Sequence, residues 1–392
     1  MSIYNNFEAG KVIVSLSGIR YDSKTMAYIL RGVSYIKVEV IFPFKGEGIP
    51  IGDIVLVHLK CNKKTTVVEV IEQISNNPLV YYAEPNYLFG RHIIPNDPYY
   101  NRLWGLEKIK APLAWNFSTG SSDVIVGVAD SGIDYNHPDI RGNMWVSREG
   151  YHGWNFINNN YDPMDMAGHG THVAGTIGAV GNNAIGIAGV CWRVKIAALR
   201  IGNIAFSLDA AIASINYANE NNITIHNNSW GGRQYSPSLK HAINYYNGLF
   251  IASSGNSGVD NDLLPDYPAS YDCDNIISVA ATNPDDALAE FSNYGAKSVD
   301  IAAPGTDIFS LALNGEYNSQ NGTSMSAPHV AGAVALLKSY KPNLTTSEIK
   351  NIILSSADKR PGLEGKVLSG GVLNVNAIFE MANRASVVSP LF

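Results

Sequence analysis

Long apolar runs are missing from this chain: no stretch approaches the roughly 20 residues that a membrane-crossing helix needs, which excludes a helical span. Basic runs are short as well. None exceeds the Lys63, Lys64 pair and the formal net charge is −6, so the electrostatic footprint required for nucleic acid or an anionic membrane surface is absent. Cysteine is scarce: Cys61, Cys191 and Cys273 form an odd set with no CxxC spacing, so the cysteines indicate neither a zinc site nor a disulfide framework and read as free thiols. Charged residues make up only 16% against 46% apolar, the balance of a folded chain rather than a disordered or coiled-coil one. The opening MSIYNNFEAGK lacks the basic-then-apolar pattern of a signal peptide, so the chain as written is expected inside the cell, or exported by a signal lying outside it.

What is present is enough chain for one small and one large domain. Residues 1–92 read as short strands and helices: KVIVSL, a helix near Lys24 to Arg31, VEVIFPF, DIVLVHL, a helix across Thr65 to Ile74, and PLVYYAEP. That is a small α+β unit. The Gly90 to Pro98 loop, with its glycine and two prolines, marks a boundary. From Asp123 onward, the apolar runs VIVGVA, VKIAALRI, ITIHNNS, LFIASS, IISVAAT and VDIAAP alternate with helical stretches such as Ser207 to Asn221. Continuous rather than alternating apolar runs belong to strands buried on both faces, so the prediction is an α/β fold, a mostly parallel sheet with helices on both sides. This second unit is expected over 93–383, with a loose tail over 384–392.

In such a fold the chemistry gathers beyond the carboxyl ends of the strands. The first strand ends in Val128-Ala129-Asp130-Ser131-Gly132. Alone, Asp130 is equally a cap or a cation ligand. Gly168-His169-Gly170-Thr171-His172 opens a helix whose small residues allow close packing. His169 and His172 could be a metal pair, or one of them a general base; the Glu that a zincin needs between two histidines is missing. Ser324, in Asn321-Gly322-Thr323-Ser324-Met325, sits at a helix start, where a serine is commonly a cap but where unpaired N–H groups also stabilise an oxyanion. Asn256, in Ser253-Ser254-Gly255-Asn256 at the end of LFIAS, offers a side-chain N–H of the kind that stabilises developing charge.

Together these segments resemble the subtilisin-like serine proteases: DSGID from Asp130, HGTHVAGTI from His169, NNSWGG from Asn227, ASSGNSG around Asn256 and NGTSMSAPHVAG around Ser324, in that family's order, over about residues 97–383. The resemblance implies a serine endopeptidase acting on extended polypeptides through an acyl-enzyme, with Ser324 as nucleophile, His169 as base, Asp130 as its orienter, and Asn256 with the Ser324 N–H as the oxyanion hole. It implies substrate pairing along Ser229, Trp230 and Gly231, and a pocket for the side chain before the scissile bond lined by Ser253, Ser254, Gly255 and Asp266. An aspartate there would favour Arg or Lys, and Arg91 is compatible with that preference. It implies a structural calcium (Ca2+) held by Asp97, Asp139, Asn183 and oxygens of Val180, Ile185 and Ile187, and a second site near Asp162 and Asp165, although Met166 stands where a polar residue is usual. Residues 1–92 resemble a subtilase propeptide, an α+β ferredoxin-like domain that acts as an intramolecular inhibitor of its own protease until it is cut between Leu88 and Pro95. The enzyme is expected to be a monomer.

Overall fold

The computed structural model describes residues 7–44, 51–61, 63–87 and 93–385. The chain divides into two compact units, residues up to 91 and residues from 92 onward. Most of the Leu88 to Pro95 segment, Arg91 included, lies outside the described residues. Among the described residues no helix is long and apolar enough to cross a membrane.

The first unit runs β1 (Phe7–Ser17), α1 (Ser23–Ile29), β2 (Tyr35–Phe42), β3 (Ile51–Leu59), α2 (Lys64–Ser75) and β4 (Val80–Tyr87). Its strands pair antiparallel in the order β2-β3-β1-β4. Alternation along β1 and β3 sends Val12, Val14, Leu16, Val55 and Val57 to one face, where they bury Met26, Ile29, Val70 and Ile74 of the two helices. Asp22 caps α1 by accepting from Lys24 N and Thr25 N, which satisfies two of the donors that a helix start leaves unpaired.

The second unit opens with α3 (Trp104–Lys108) and α4 (Ala111–Ala114) and continues through β5 (Gly120–Asp130), β6 (Gly153–Asn155), α5 (His169–Gly178), β7 (Arg193–Arg200), α6 (Leu208–Glu220), β8 (Ile225–Asn228), α7 (Pro237–Asn244), β9 (Leu249–Ser253), β10 (Ile276–Thr282) and β11 (Ile301–Pro304). A hairpin of β12 (Ile308–Leu311) and β13 (Tyr317–Gln320) precedes α8 (Thr323–Tyr340), α9 (Thr346–Ser355), β14 (Asp358–Lys359), β15 (Gly371–Val372) and α10 (Val375–Ala385). The main sheet has the order β14-β15-β11-β10-β9-β8-β5-β7-β6, and all of its pairs are parallel except β14 with β15. This is the expected mostly parallel sheet.

Two-sided burial explains its continuous apolar runs. In β9, Leu249 and Ile251 belong to the apolar core that holds Val330 and Val334 of α8, whereas Phe250 and Ala252 belong to a separate core with Ile215 of α6 and Leu239 and Ile243 of α7. From β5 the chain builds β6 and β7 on one side, then crosses to β8 on the other. Winding reverses at β5, and the crevice at such a reversal is where ligands bind. Near the C-terminus, Val375, Ile378, Phe379 and Ala382 are buried at helical spacing and carry α10 to Ala385, two residues into the stretch expected as tail; the rest of 384–392 lies outside the described residues.

Candidate active site

Three segments converge at the reversal point. β5 delivers Asp130, fully buried, and α5 begins at His169, whose side chain stays 29% exposed; His169 Nδ1 hydrogen-bonds Asp130 Oδ1 at 2.7 Å. The approach depends on Gly170, where a Cβ would lie 2.1 Å from Gly132 O and 3.0 Å from Asp130 Cβ. Only a residue without a side chain lets the helix start this close to the strand end. Burial pulls the His169 pKa down, but the Asp130 carboxylate, by charge and by hydrogen bond, with Asp165 adding to it, lifts it above the ordinary histidine value. Asp130 Oδ1 also accepts from Ser131 N, while Oδ2 is buried with no hydrogen bond among the described residues.

Asp165, read from the sequence as a possible cation ligand, does something else. Its Oδ1 accepts from Ala167 N and Gly168 N and its Oδ2 from Thr171 N and Thr171 Oγ1. With four donors satisfied, the carboxylate fixes the start of α5 and hence the placement of His169. His172 is fully buried, its Nε2 is bound to Ile308 O at 2.9 Å, and burial pushes its pKa down to about 4. It is a neutral packed imidazole turned to the β12 backbone, which leaves no metal pair with His169.

Ser324 enters on the first turn of α8, 9% exposed, after Gly322 at φ 150°. Its Oγ donates to Ser229 O at 3.0 Å, and Ser229 Oγ donates back to Ser324 O at 2.9 Å. Among the described residues no hydrogen bond joins Ser324 to His169, but both line one cleft of about 740 Å³ with Ser229, Trp230 and Gly231. Asn256 is oriented from behind: its Oδ1 accepts from Thr323 N at 2.8 Å and Thr323 Oγ1 at 2.9 Å, which leaves the NH₂ end as donor. A Cβ built on Gly322 would lie 3.5 Å from Asn256 Nδ2 and 3.6 Å from Ser324 N, so the two donors flank the same small space. Thr323 was missed in the sequence, where it reads as an ordinary helix-start residue.

Across the cleft, Gly232 and Tyr267 exchange backbone hydrogen bonds, Gly232 N to Tyr267 O at 2.8 Å and Tyr267 N to Gly232 O at 2.7 Å, which brings Asp266 behind Gly231. A Cβ on Gly231 would meet Asp266 Oδ1 at 2.5 Å, and one on Gly255 would lie 3.2 Å from Asp266 Cγ. The carboxylate thus sits between the two glycine-bearing segments, 9% exposed, with no hydrogen bond to it among the described residues. Burial raises its pKa and the charge of Arg233 lowers it, with a net rise. Ser253 and Ser254 differ from expectation: both are buried, and Ser254 Oγ donates to Asn293 O at 3.0 Å. At Ser254 a pocket wall would be backbone, because its hydroxyl is spent inside.

The residues expected to hold calcium surround the loop that runs through Asn182, Asn183 and Ile187. Asp97 accepts from Asn182 N at 2.7 Å and Asn183 N at 3.4 Å; Asp139 accepts from Asn183 Nδ2 and Ile187 N, each at 2.8 Å. Both carboxylates are buried, which raises both pKa values, Asp139 to about 6, with the Asp97 charge adding to the rise. The loop turns through positive φ at Asn182, Ala184 and Gly186. Among the described residues the carbonyls of Val180, Ile185 and Ile187 accept no hydrogen bond. Two buried carboxylates beside an amide and uncommitted carbonyls fit a hard, oxygen-seeking cation. Among the described residues no three His, Cys, Asp or Glu side chains gather as a metal group, so any such site is built chiefly from neutral oxygens.

The chain matches the model of the subtilase family over residues 121–372. It is 37% identical over 367 residues to a thermophilic serine proteinase of Bacillus sp. (strain AK1), covering 88% of each chain. It is 39% identical over 274 residues to thermitase of Thermoactinomyces vulgaris, covering 68% of this chain and 93% of that one. A solved structure of a protease from Pseudoalteromonas arctica superposes with a TM-score of 0.64 at 28% identity, covering 74% of this chain and 99% of that one.

Proposed function

The chain belongs to the subtilase family and is a serine endopeptidase; from that premise we propose that Asp130, His169 and Ser324 are its catalytic triad and that Asn256 completes the oxyanion hole. The observation carrying this is the 2.7 Å hydrogen bond between the buried Asp130 and the part-exposed His169, at the mouth of a cleft that Ser324 also lines. Asp130 holds the proton on Nδ1, so Nε2 is free to act as base. The Ser324 hydroxyl turns from Ser229 O to His169 Nε2, gives up its proton, and Oγ attacks the scissile carbonyl. The carbonyl π pair moves onto oxygen, where the Ser324 N–H and the Asn256 amide meet it. Collapse breaks the C–N bond as His169 protonates the leaving amine, and water repeats the sequence to release the acid.

Segment Ser229, Trp230, Gly231 is proposed to pair with the extended substrate by backbone hydrogen bonds, which supports broad sequence tolerance. Asp266 is proposed to favour Arg or Lys before the scissile bond, supported by its carboxylate, which lies between Gly231 and Gly255 with no hydrogen-bond partner among the described residues; Ser253 and Ser254 contribute backbone. Asp97, Asp139 and Asn183, with the carbonyls of Val180, Ile185 and Ile187, would hold calcium, which would tie the loop to the body of the fold and play no chemical part. Residues 1–92 are proposed as an inhibitory propeptide. In support, the match to the Bacillus proteinase covers more of the chain than the second unit supplies, so it extends into the first. A monomer is proposed, with size-exclusion mass as the check.

The test of the chemistry is casein hydrolysis by the purified chain, with and without a fluorophosphonate, beside Ser324→Ala. Both treatments should abolish hydrolysis. Activity that survives the substitution would end this reading.

A further inference from the structure

Asn256 occupies an exposed loop just beyond β9, between Gly255 at φ 106° and Gly258 at φ 66°. Two glycines at positive φ make a loop that is inexpensive to deform, yet an oxyanion donor acts only if it is held in place before the charge develops. The Thr323 contacts fix the Asn256 side chain, and Thr323 Oγ1 also accepts from Gly255 N at 3.1 Å. The rest of the loop backbone needs another anchor. Asn293 meets it on both sides of Asn256.

Asn293 is fully buried. Its Oδ1 accepts from Ser257 N at 2.8 Å and Val259 N at 3.3 Å, and its Nδ2 donates to Asn261 Oδ1 at 3.0 Å. Its backbone N donates to Gly255 O at 2.9 Å and its carbonyl accepts from Ser254 Oγ at 3.0 Å. Asn261 in turn donates to Ser254 O at 2.8 Å. The ring of contacts therefore closes through residues 254, 255, 257, 259 and 261, leaving Asn256 at its crest. Because Ser257 N and Val259 N can only donate, the amide orientation of Asn293 is determined. A Cβ on Gly255 would fall 2.4 Å from Asn293 Nδ2, so Gly255 is the concession that lets the clamp close. Resting on the assignment of Asn256 above, we propose that Asn293 is a positioning residue for the reaction: it holds the oxyanion loop so that the Asn256 amide meets the transition state at no further ordering cost.

A double-mutant cycle in the full chain, matured as the wild type is, tests this. Losing Asn256 itself should cost about 10²–10³ in kcat, the range known for this donor in subtilisin. Asn293→Ala should lower kcat by about tenfold or more with KM within about twofold, because the contact it serves exists only in the transition state. In an Asn256→Ala background the same change should cost less than about threefold, since there is no amide left to place. The near-isosteric Asn293→Asp keeps both acceptor contacts, giving up only the donation to Asn261 Oδ1, and should retain most of the kcat that Asn293→Ala loses; if the alanine variant does not fold, the cycle is run with Asn293→Ser, whose side chain is too short to hold Ser257 N and Val259 N together. Equal losses in both backgrounds, or a loss carried in KM, would overturn the positioning role. An unchanged kcat in Asn256→Ala alone would instead overturn the oxyanion assignment on which it rests.

Discussion

Replacing Asp266 by asparagine removes one negative charge with almost no change of shape, and so isolates what that charge does for specificity. The carboxylate is 9% exposed, faces Gly231 within the reach of a missing Cβ, and has no hydrogen-bond partner among the described residues. A guanidinium or ammonium brought to it makes a charge-assisted hydrogen bond worth about 1.5–3 kcal/mol. Arg233, exposed to solvent, already offsets part of the charge, which argues for the lower half of that range. At about 1.4 kcal/mol per decade, Asp266→Asn should reduce the Arg-over-Phe ratio of kcat/KM by about 10- to 40-fold. Two fluorogenic peptides that differ only in the residue before the scissile bond measure it directly. The pH dependence supplies a second reading of the same charge. Because burial raises the Asp266 pKa, the preference for Arg should fade as pH drops through that value, when the carboxylate takes up a proton, and the asparagine variant should lack this dependence. A ratio unchanged within about twofold, or a wild type that cleaves after Phe far better than after Arg, would refute the argument.

Since His169 must be neutral to accept a proton and its pKa is lifted by Asp130, kcat/KM should fall as pH drops through that raised value. Asp130→Asn should cost about 10⁴-fold and move the acid limb of the residual activity to lower pH; a limb that stays in place would deny the pairing its role. Chelation with EDTA should lower Tm by several degrees, because calcium at about 100 times its Kd contributes about 2.7 kcal/mol, and Asp139→Asn should abolish the effect; melting that is indifferent to EDTA would remove the site. If residues 1–92 inhibit, the active species should begin between Leu88 and Pro95 on N-terminal sequencing, and full activity with Met1 still in place would refute the zymogen reading.

The parallel sheet was legible because two-sided burial writes itself into single runs of sequence: Leu249, Phe250, Ile251 and Ala252 are all apolar since alternate residues meet different helices. Asp130, His169, Ser324 and Asn256, the proposed site residues, were legible for a related reason, in that each sits beside glycines or at an element end where a short motif encodes the backbone geometry. What escaped is the set of residues that hold these four, and their partners lie far along the chain. Thr323 reaches back 67 residues to Asn256, and Asn293 reaches back 36 to Ser257. Asp165 shows the complementary failure. Its neighbours Ala167, Gly168 and Thr171 are local, but an acidic residue before a helix has the same sequence signature whether it caps that helix or binds a cation. Ser254 differs in direction, its hydroxyl donating to Asn293 O, since a strand end specifies that a residue is near the cleft without saying whether its side chain faces it. Motifs thus disclose the groups proposed to meet substrate, whereas what holds them is a web of buried polar contacts whose members look, in sequence, like ordinary Asn, Thr and Asp. That is why the loop holding Asn256, rather than Asn256 itself, is where a substitution remote from the chemistry should have its largest effect on kcat.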